Sequence, residues 1–150
     1  MTDNTDEEYA LRLSYLEQTD PNSLAVARLY LEMASNHPPE ERDAALKLFD
    51  AADEIFSFHL PTARDAAVAG LALSLNNRAA LEIEAGEWDW AVDAACQAVE
   101  LRQDRLRNCV GRRDDSERLD LGYSLAALVL ALQGAGKLDL ARDAASDAVE

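Results

Sequence analysis

The residues best suited to metal binding or nucleophilic chemistry are two cysteines and two histidines, and they are scattered along the chain. Cys96 and Cys109 lie 13 residues apart, and His37 and His59 stand alone. A zinc site needs three or four ligands at defined spacing, and neither C-x-x-C nor H-E-x-x-H occurs in the sequence. The sequence therefore predicts no metal site.

The surroundings of these four residues indicate structural roles. Cys96 lies beside a run of alanines, which predicts a buried, small hydrophobic side chain. Cys109 follows Arg105 and Arg107, and nearby positive charge favours the reactive thiolate form of a cysteine. A redox-sensitive thiol is therefore one interpretation of Cys109, and an inert cysteine is the simpler one. Each histidine precedes a proline by one or two residues, which predicts a helix end where the ring bonds terminal carbonyls.

The motifs of common catalytic sites do not occur in the sequence. It contains no G-x-x-x-x-G-K-[ST], no G-x-G-x-x-G and no G-x-S-x-G, so phosphate-loop, dinucleotide and nucleophile-elbow chemistry lack their backbone. Carboxylates are abundant, but pairs such as Asp114-Asp115 are typical of a solvated acidic surface. We therefore predict that the protein is not an enzyme and uses no cofactor.

The charge and hydropathy of the chain bear on its partners. With 29 acidic and 14 basic residues, its formal charge of -15 repels polyphosphates, which disfavours nucleic acid as a partner. No apolar run approaches the roughly 20 residues that cross a bilayer, and the N-terminus is acidic, unlike a signal peptide. We therefore expect a cytoplasmic protein that does not bind membranes.

One segment, from Arg102 to Arg118, departs from this acidic character. It holds six arginines against four acidic residues. Arginine's planar fork could bind an acidic peptide or a phosphate there. Ion pairs within helices, such as Asp114 with Arg118, explain the same composition more simply.

The composition and periodicity predict an all-α fold. Alanine occurs 28 times and leucine 23 times, glycine and proline cluster at boundaries, and no stretch alternates with the period of a strand. The pattern predicts seven helices, over residues 6–18, 21–36, 39–58, 62–85, 87–110 and 115–134, with the last from 137 onward. Asp20 is the expected cap of the second helix. We predict an N-terminal helix within residues 1–20 and a repeat domain over 21–150.

Three of these helices carry related stripes of small or apolar residues at spacings of 3, 4 and 7. The stripes are Ala91, Ala94, Ala95 and Ala98; Ala141, Ala144, Ala145 and Ala148; and Ala45, Leu48, Phe49 and Ala52. Gly86 and Gly136 each lie five residues before an alanine stripe. Small side chains on one helix face let a second helix approach closely, which predicts antiparallel helix pairs.

This layout resembles the tetratricopeptide repeat family, whose 34-residue unit has a small residue in its first helix, a turn glycine and two alanines in its second. The matching residues here are Ala79, Gly86, Ala91 and Ala98 in one copy and Gly136, Ala141 and Ala148 in the next. Glu82 stands where the family has a bulky residue, and the stripes are 46 and 50 residues apart, which indicates longer helices. Long-helix relatives of this kind are common in bacterial regulators.

The resemblance implies about three stacked antiparallel helix hairpins, an α-solenoid, over residues 21–150. A plain helical bundle with ordinary alanine packing is the alternative. A stack exposes the apolar face of its last member unless that face is capped, and Ala144, Ala148 and Val149 have nothing downstream. We therefore expect either a longer protein or a homodimer formed through this last hairpin.

The resemblance also implies a function as a protein-protein interaction module, because the family holds a peptide or partner helix in a concave groove. The matching groove residues are Tyr30, Ala34, Leu73, Asn76, Asn77, Ala80, Ile83, Glu84, Tyr123, Ala126, Ala127, Leu130 and Gln133. Asn77 matches an asparagine that binds the ligand backbone in chaperone-binding members. Tyr123 and Ala127 stand where those members have basic residues, so chaperone tails are disfavoured. Asn76 and Asn77 fit an ordinary exposed helix face equally well.

The expected groove is apolar with acidic rims, which suits a basic or amphipathic peptide or helix as the partner. The alternative is a sensory or regulatory domain that controls an attached effector domain or binds a signalling peptide. Trp88 and Trp90, at the start of the fifth helix, are expected to cover the gap between helices.

Overall fold

The computed structural model describes residues 4–108 and 114–149, and within them the protein is all-α, as predicted. The helices are α1 (Asn4–Thr19), α2 (Leu24–Asn36), α3 (Arg42–His59), α4 (Arg64–Ala85), α5 (Trp88–Arg107), α6 (Asp114–Gly134) and α7 (Leu138–Val149). A 3-10 turn, Pro39–Glu41, precedes α3. No strand occurs in this part of the chain. Helix α2 packs against both of its neighbours in sequence, α1 and α3, and α6 packs against both of its neighbours, α5 and α7.

The start of α2 differs from the prediction. The helix begins at Leu24, and the Ser23 hydroxyl accepts a hydrogen bond from the Val26 amide at 3.3 Å. The prediction of Asp20 as the cap is wrong, because Ser23 caps the helix. The backbone carbonyl of Asp20 instead accepts a hydrogen bond from the Ser23 amide at 3.1 Å. The proline that follows Asp20 therefore opens a turn and not the helix itself.

The chain forms two compact units, Met1–Gly70 and Leu71–Glu150, and α4 runs across the boundary between them. In the first unit α2 packs against α1 and α3. In the second unit α6 packs against α5 and α7. The division into residues 1–20 and 21–150 stays a prediction.

Aliphatic side chains of α2 and aromatic and aliphatic side chains of α3 form the core of the first unit. On α3, Ala45, Phe49 and Ala52 are all buried, so this stripe faces the core. Phe56, on the same helix, is 1% exposed and its ring lies against Gly70. A β-carbon built at Gly70 would lie 2.2 Å from a ring carbon of Phe56, so the ring occupies the space of a side chain.

Helix α1 is anchored to α2 mainly by Tyr9. Its hydroxyl donates a hydrogen bond to Glu32 Oε1 at 3.1 Å and accepts one from the side-chain amide of Asn36. The Arg12 guanidinium lies 6.0 Å from the centre of the Tyr9 ring and 3.7 Å from the Glu32 carboxylate. Among the α1 residues whose burial is described, Tyr9 alone is buried. The Glu17 carboxylate of α1 adds a second contact to α2 by accepting a hydrogen bond from the Tyr30 hydroxyl.

The alanine stripe of α5 organises the second unit. Ala91, Ala94, Ala95 and Ala98 are all buried. The core around them joins four helices and comprises Ala79, Ala94, Ala95, Val99, Leu125, Leu128, Leu132, Ala141 and Ala144. On α7 only the first half of the stripe is buried, because Ala145 and Ala148 are exposed.

Two glycine turns of the same geometry connect α4 to α5 and α6 to α7. Gly86 and Gly136 have φ angles of 74° and 75°, the left-handed region that favours glycine. In each turn the amide after the glycine donates to the carbonyl five residues back, at 2.9 Å. These bonds satisfy carbonyls that a helix end leaves unpaired.

The Gly70 contact predicts opposite effects for two alanine substitutions inside helices. Gly70→Ala should destabilise the protein by about 1–3 kcal/mol, because the buried Phe56 ring has no room to move. Gly122→Ala should stabilise it by up to about 1 kcal/mol, because no described residue beyond its chain neighbours and its own helix backbone lies within 4 Å of the added carbon, and alanine favours the helix. Urea denaturation followed by circular dichroism measures both, and equal stability of the two variants would contradict the close contact.

Candidate peptide-binding surface

Helix α6 is apolar on two opposite faces, and only one of them is buried. Leu125, Leu128 and Leu132 lie in the core of the second unit. Leu119, Tyr123 and Leu130 are 59%, 61% and 54% exposed. A large exposed apolar surface on a well-packed helix is typical of an interaction site.

The exposed residues of α6 form one continuous stripe. Leu119, Tyr123, Ala126, Leu130 and Gln133 follow one another at alternating spacings of four and three residues, and all are exposed. We call this stripe the α6 face. Side chains at this spacing lie on one side of a helix, and none of the five is charged.

Four residues of the α6 face were predicted as groove residues, and one was missed. The structure brings Tyr123, Ala126, Leu130 and Gln133 together on one exposed face, whereas Ala127 is half-buried beside it. Leu119 extends the stripe by one turn. The signal that could have found it is the spacing, because Leu119 stands four residues before Tyr123.

The helix backbone is open beside Tyr123. Gly122 lies inside α6, and no heavy atom of the described residues comes within 4 Å of a β-carbon built there. Ala126, one turn further on, is exposed. A glycine inside a helix is destabilising by about 1 kcal/mol relative to alanine, and it lets another backbone approach closely.

The groove residues predicted on α4 differ in how far they are exposed. Leu73, Ala80 and Glu84 are exposed, and Ile83 is half-buried. Asn76 and Asn77 are half-buried, and Asn77 already interacts with another group of the protein. The Asn76 Oδ1 atom is buried without a hydrogen-bond partner in the described residues.

The two predicted residues in the first unit have different outcomes. Ala34 is buried in the packing of α2, so its predicted contact with a partner is wrong. Tyr30 is half-buried, and its hydroxyl donates a hydrogen bond to Glu17 Oε1 at 2.9 Å. Burial and the Glu17 carboxylate raise the pKa of Tyr30 above its usual value.

Two arginines of the basic segment, the buried Arg102 and the half-buried Arg105, form ion pairs between α5 and α6. Arg105 Nη2 lies 2.9 Å from Glu117 Oε1, and Arg102 Nη1 lies 3.3 Å from Asp120 Oδ2. Burial lowers the pKa of Arg102, while the charge of Asp120 opposes that shift. These arginines serve the contact between two helices, an arrangement that neither sequence interpretation predicted.

The other arginines of the segment are exposed or lie outside the described residues. Arg107 pairs with Asp104 within α5, as the helix-internal interpretation predicts. Arg118 is exposed and engaged with another group of the protein. The side chain of Asp114, its expected partner, lies outside the described residues, as do Arg112, Arg113 and Cys109.

The histidines bond other groups than the helix-terminal carbonyls that were expected. His37 Nδ1 lies 2.6 Å from a carboxylate oxygen of Glu41. His59 Nε2 lies 2.6 Å from the backbone carbonyl of Asn22, which ties the end of α3 to the turn before α2. Both histidines do lie at helix ends, as predicted. The partner of His59 lies 37 residues away in the sequence, which the spacing of histidine and proline does not encode.

Cys96 is half-buried and packs against the core of the second unit. It is therefore less buried than predicted. Its pKa is raised by burial and by the nearby carboxylates of Glu100 and Asp93, although Lys137 opposes the shift. A raised pKa lowers the fraction of reactive thiolate at neutral pH.

The two tryptophans differ in their contacts. The Trp88 ring lies against Gly134, where a β-carbon would come within 2.1 Å of it, so Trp88 covers the gap between α5 and α6 as predicted. Trp90 is largely exposed, so the same prediction is wrong for it.

Two negative findings hold for the described part of the chain. No group of three or more His, Cys, Asp or Glu side chains is placed to hold a metal ion there. No helix in that part is long and apolar enough to cross a membrane.

Comparisons with protein-family models, with curated proteins and with solved structures find no match to this chain. The resemblance to the tetratricopeptide repeat family therefore stays a prediction. The features that bear on it are the buried alanine stripe of α5 and the two glycine turns.

The ion pair between Arg105 and Glu117 can be tested by single and double substitution. Arg105→Leu should destabilise the protein by about 3–5 kcal/mol, because Glu117 would remain buried without its cation. Adding Glu117→Leu should recover most of that loss. Arg107→Leu, which breaks an exposed pair, should change the stability by less than about 1 kcal/mol. Urea denaturation measures all three, and equal losses for Arg105→Leu and Arg107→Leu would contradict the buried pair.

The raised pKa of Cys96 predicts slow reaction with thiol reagents. In a Cys109→Ser background at pH 8, dithiobis-nitrobenzoate should modify the folded protein more slowly than the urea-unfolded protein, because folding reduces the thiolate and covers the sulfur. The rate of colour development measures the reaction. Equal rates in the folded and unfolded protein would show that the site does not protect Cys96.

Proposed function

We propose that the protein is a binding module, a scaffold or adaptor without catalytic activity, that holds a helix or peptide of a partner protein. The observation that carries this proposal is the α6 face. Its three large apolar side chains, Leu119, Tyr123 and Leu130, are each more than half exposed on a helix whose opposite side is firmly packed.

The spacing of the α6 face favours a helical partner. Alternating steps of four and three residues are the pattern by which two helices pack side by side. The face runs from Leu119 to Gln133, which is about 21 Å at 1.5 Å per residue, or four helical turns. The open backbone at Gly122 would let such a helix lie close to α6.

The charge of the protein favours a partner with basic residues beside its apolar stripe. The α6 face itself is uncharged, while the chain carries a formal charge of -15. An amphipathic helix with lysine or arginine on its flanks would bury its apolar side and be attracted by the net negative charge of the protein. The same charge disfavours nucleic acid and acidic membranes as partners.

A second occupant, another copy of this chain, is favoured by the surface of α7. Leu138 and Leu140 are largely exposed, and Ala145 and Ala148 of the alanine stripe are exposed as well. Pairing through this hairpin would give a homodimer. Within a regulatory protein, the same surfaces would instead hold an attached effector domain or a signalling peptide.

The binding proposal predicts how a model peptide behaves. An amphipathic helix of about 15 residues built from leucine and lysine should bind the full chain with micromolar affinity, and the affinity should fall as salt screens the charges. Tyr123→Ser with Leu130→Ser should weaken binding about tenfold, because two anchoring side chains are removed. Isothermal titration calorimetry measures the dissociation constants.

The control for this experiment is Leu11→Ser, which changes an exposed leucine on α1 in the first unit. Binding should be unchanged in that variant. A matched peptide of leucine and glutamate should bind far more weakly. The proposal fails if Leu11→Ser weakens binding as much as Tyr123→Ser with Leu130→Ser does. Light scattering measures separately whether the unbound chain is a dimer.

A further inference from the structure

A cavity lies in the first unit, between the start of α2 and the end of α3. Its volume is about 430 Å³, within the range of sites that hold a ligand or a large side chain. Its apolar walls are Pro21, Tyr30, Ile55 and Phe58, and its polar groups come from Asn22 and Glu54. It belongs to the first unit alone, so it does not depend on the α6 face.

The aromatic wall of this cavity is exposed and held in place. Phe58 is 68% exposed on the last turn of α3. Its ring meets the His59 ring edge-on, with centres 5.3 Å apart and an angle of 89°. His59 is in turn bonded to the Asn22 carbonyl on the opposite wall, so both walls are tied together.

The charged groups around the cavity are negative. Glu54 lines it, is exposed and has no ion-pair partner in the described residues. Glu17 lies beside it through its hydrogen bond from the Tyr30 hydroxyl. None of the residues that line the cavity carries a positive charge.

We propose that this cavity accepts an arginine side chain of a partner protein. A guanidinium group stacks on an aromatic face, here that of Phe58, and can bond a carboxylate with two parallel hydrogen bonds, here that of Glu54. The apolar walls suit the three methylene groups of the arginine side chain. The chemistry that the site recognises is therefore a flat cation with an apolar stem.

The test uses N-acetyl-arginine amide as the probe and the uniformly 15N-labelled full chain. The probe should cause saturable shifts in the amide signals of Tyr30, Ile55 and Phe58. N-acetyl-citrulline amide, which has nearly the same shape without the charge, should bind at least about fivefold more weakly. Glu54→Gln should weaken binding of the arginine probe by about fivefold, and Phe58→Leu should also weaken it because it removes the aromatic face.

The matched control is Glu40→Gln, which removes one negative charge from the first unit without touching the cavity. Binding of the arginine probe should be unchanged in this variant. The changed side chains are exposed, so circular dichroism is expected to show an intact fold in all three variants. Equal binding of arginine and citrulline, or equal effects of Glu54→Gln and Glu40→Gln, would overturn the proposal.

Discussion

The second unit depends on how closely other helices can approach α5. The buried positions of α5 between residues 91 and 98 are the alanines Ala91, Ala94, Ala95 and Ala98, so neighbouring helices can approach its backbone closely there. The leucines of α6 fill the remaining space, and this fixes which side of α6 is buried. The opposite side then remains outside with its own apolar stripe. The α6 face is therefore a consequence of the packing against α5 on a helix that is apolar on both sides.

Charge is distributed unevenly between the surface and the helix contacts. The surface is strongly acidic, yet the side chains of Arg102 and Arg105 are only 8% and 13% exposed where α5 meets α6, each beside a carboxylate of α6. Buried pairs of this kind add little net stability, because removing charges from water is costly. They do penalise a shifted alignment of the two helices, since a shift would leave charges buried without partners. The alanines thus set the distance between α5 and its neighbours, and the ion pairs favour one register.

The sequence predicts features that depend on local pattern and fails where distant residues meet. Helices, buried stripes and glycine turns follow from periodicity and from residues with special backbone preferences, so all seven helices of the described residues were predicted. Ala34 was misplaced because its position came from the family pattern, which does not say which side of α2 is buried. The pairing of Arg105 with Glu117 and the cavity beside Phe58 join residues of different helices, and no local pattern encodes those distances.

The left-handed turns at Gly86 and Gly136 restrict how this architecture can change during evolution. Exposed positions tolerate many residue types, but a side chain at either glycine would strain the backbone. The first alanine of each buried stripe follows five residues later, at Ala91 and Ala141. Diverged sequences that keep this architecture are therefore better aligned on a glycine followed five residues later by an alanine than on their overall identity.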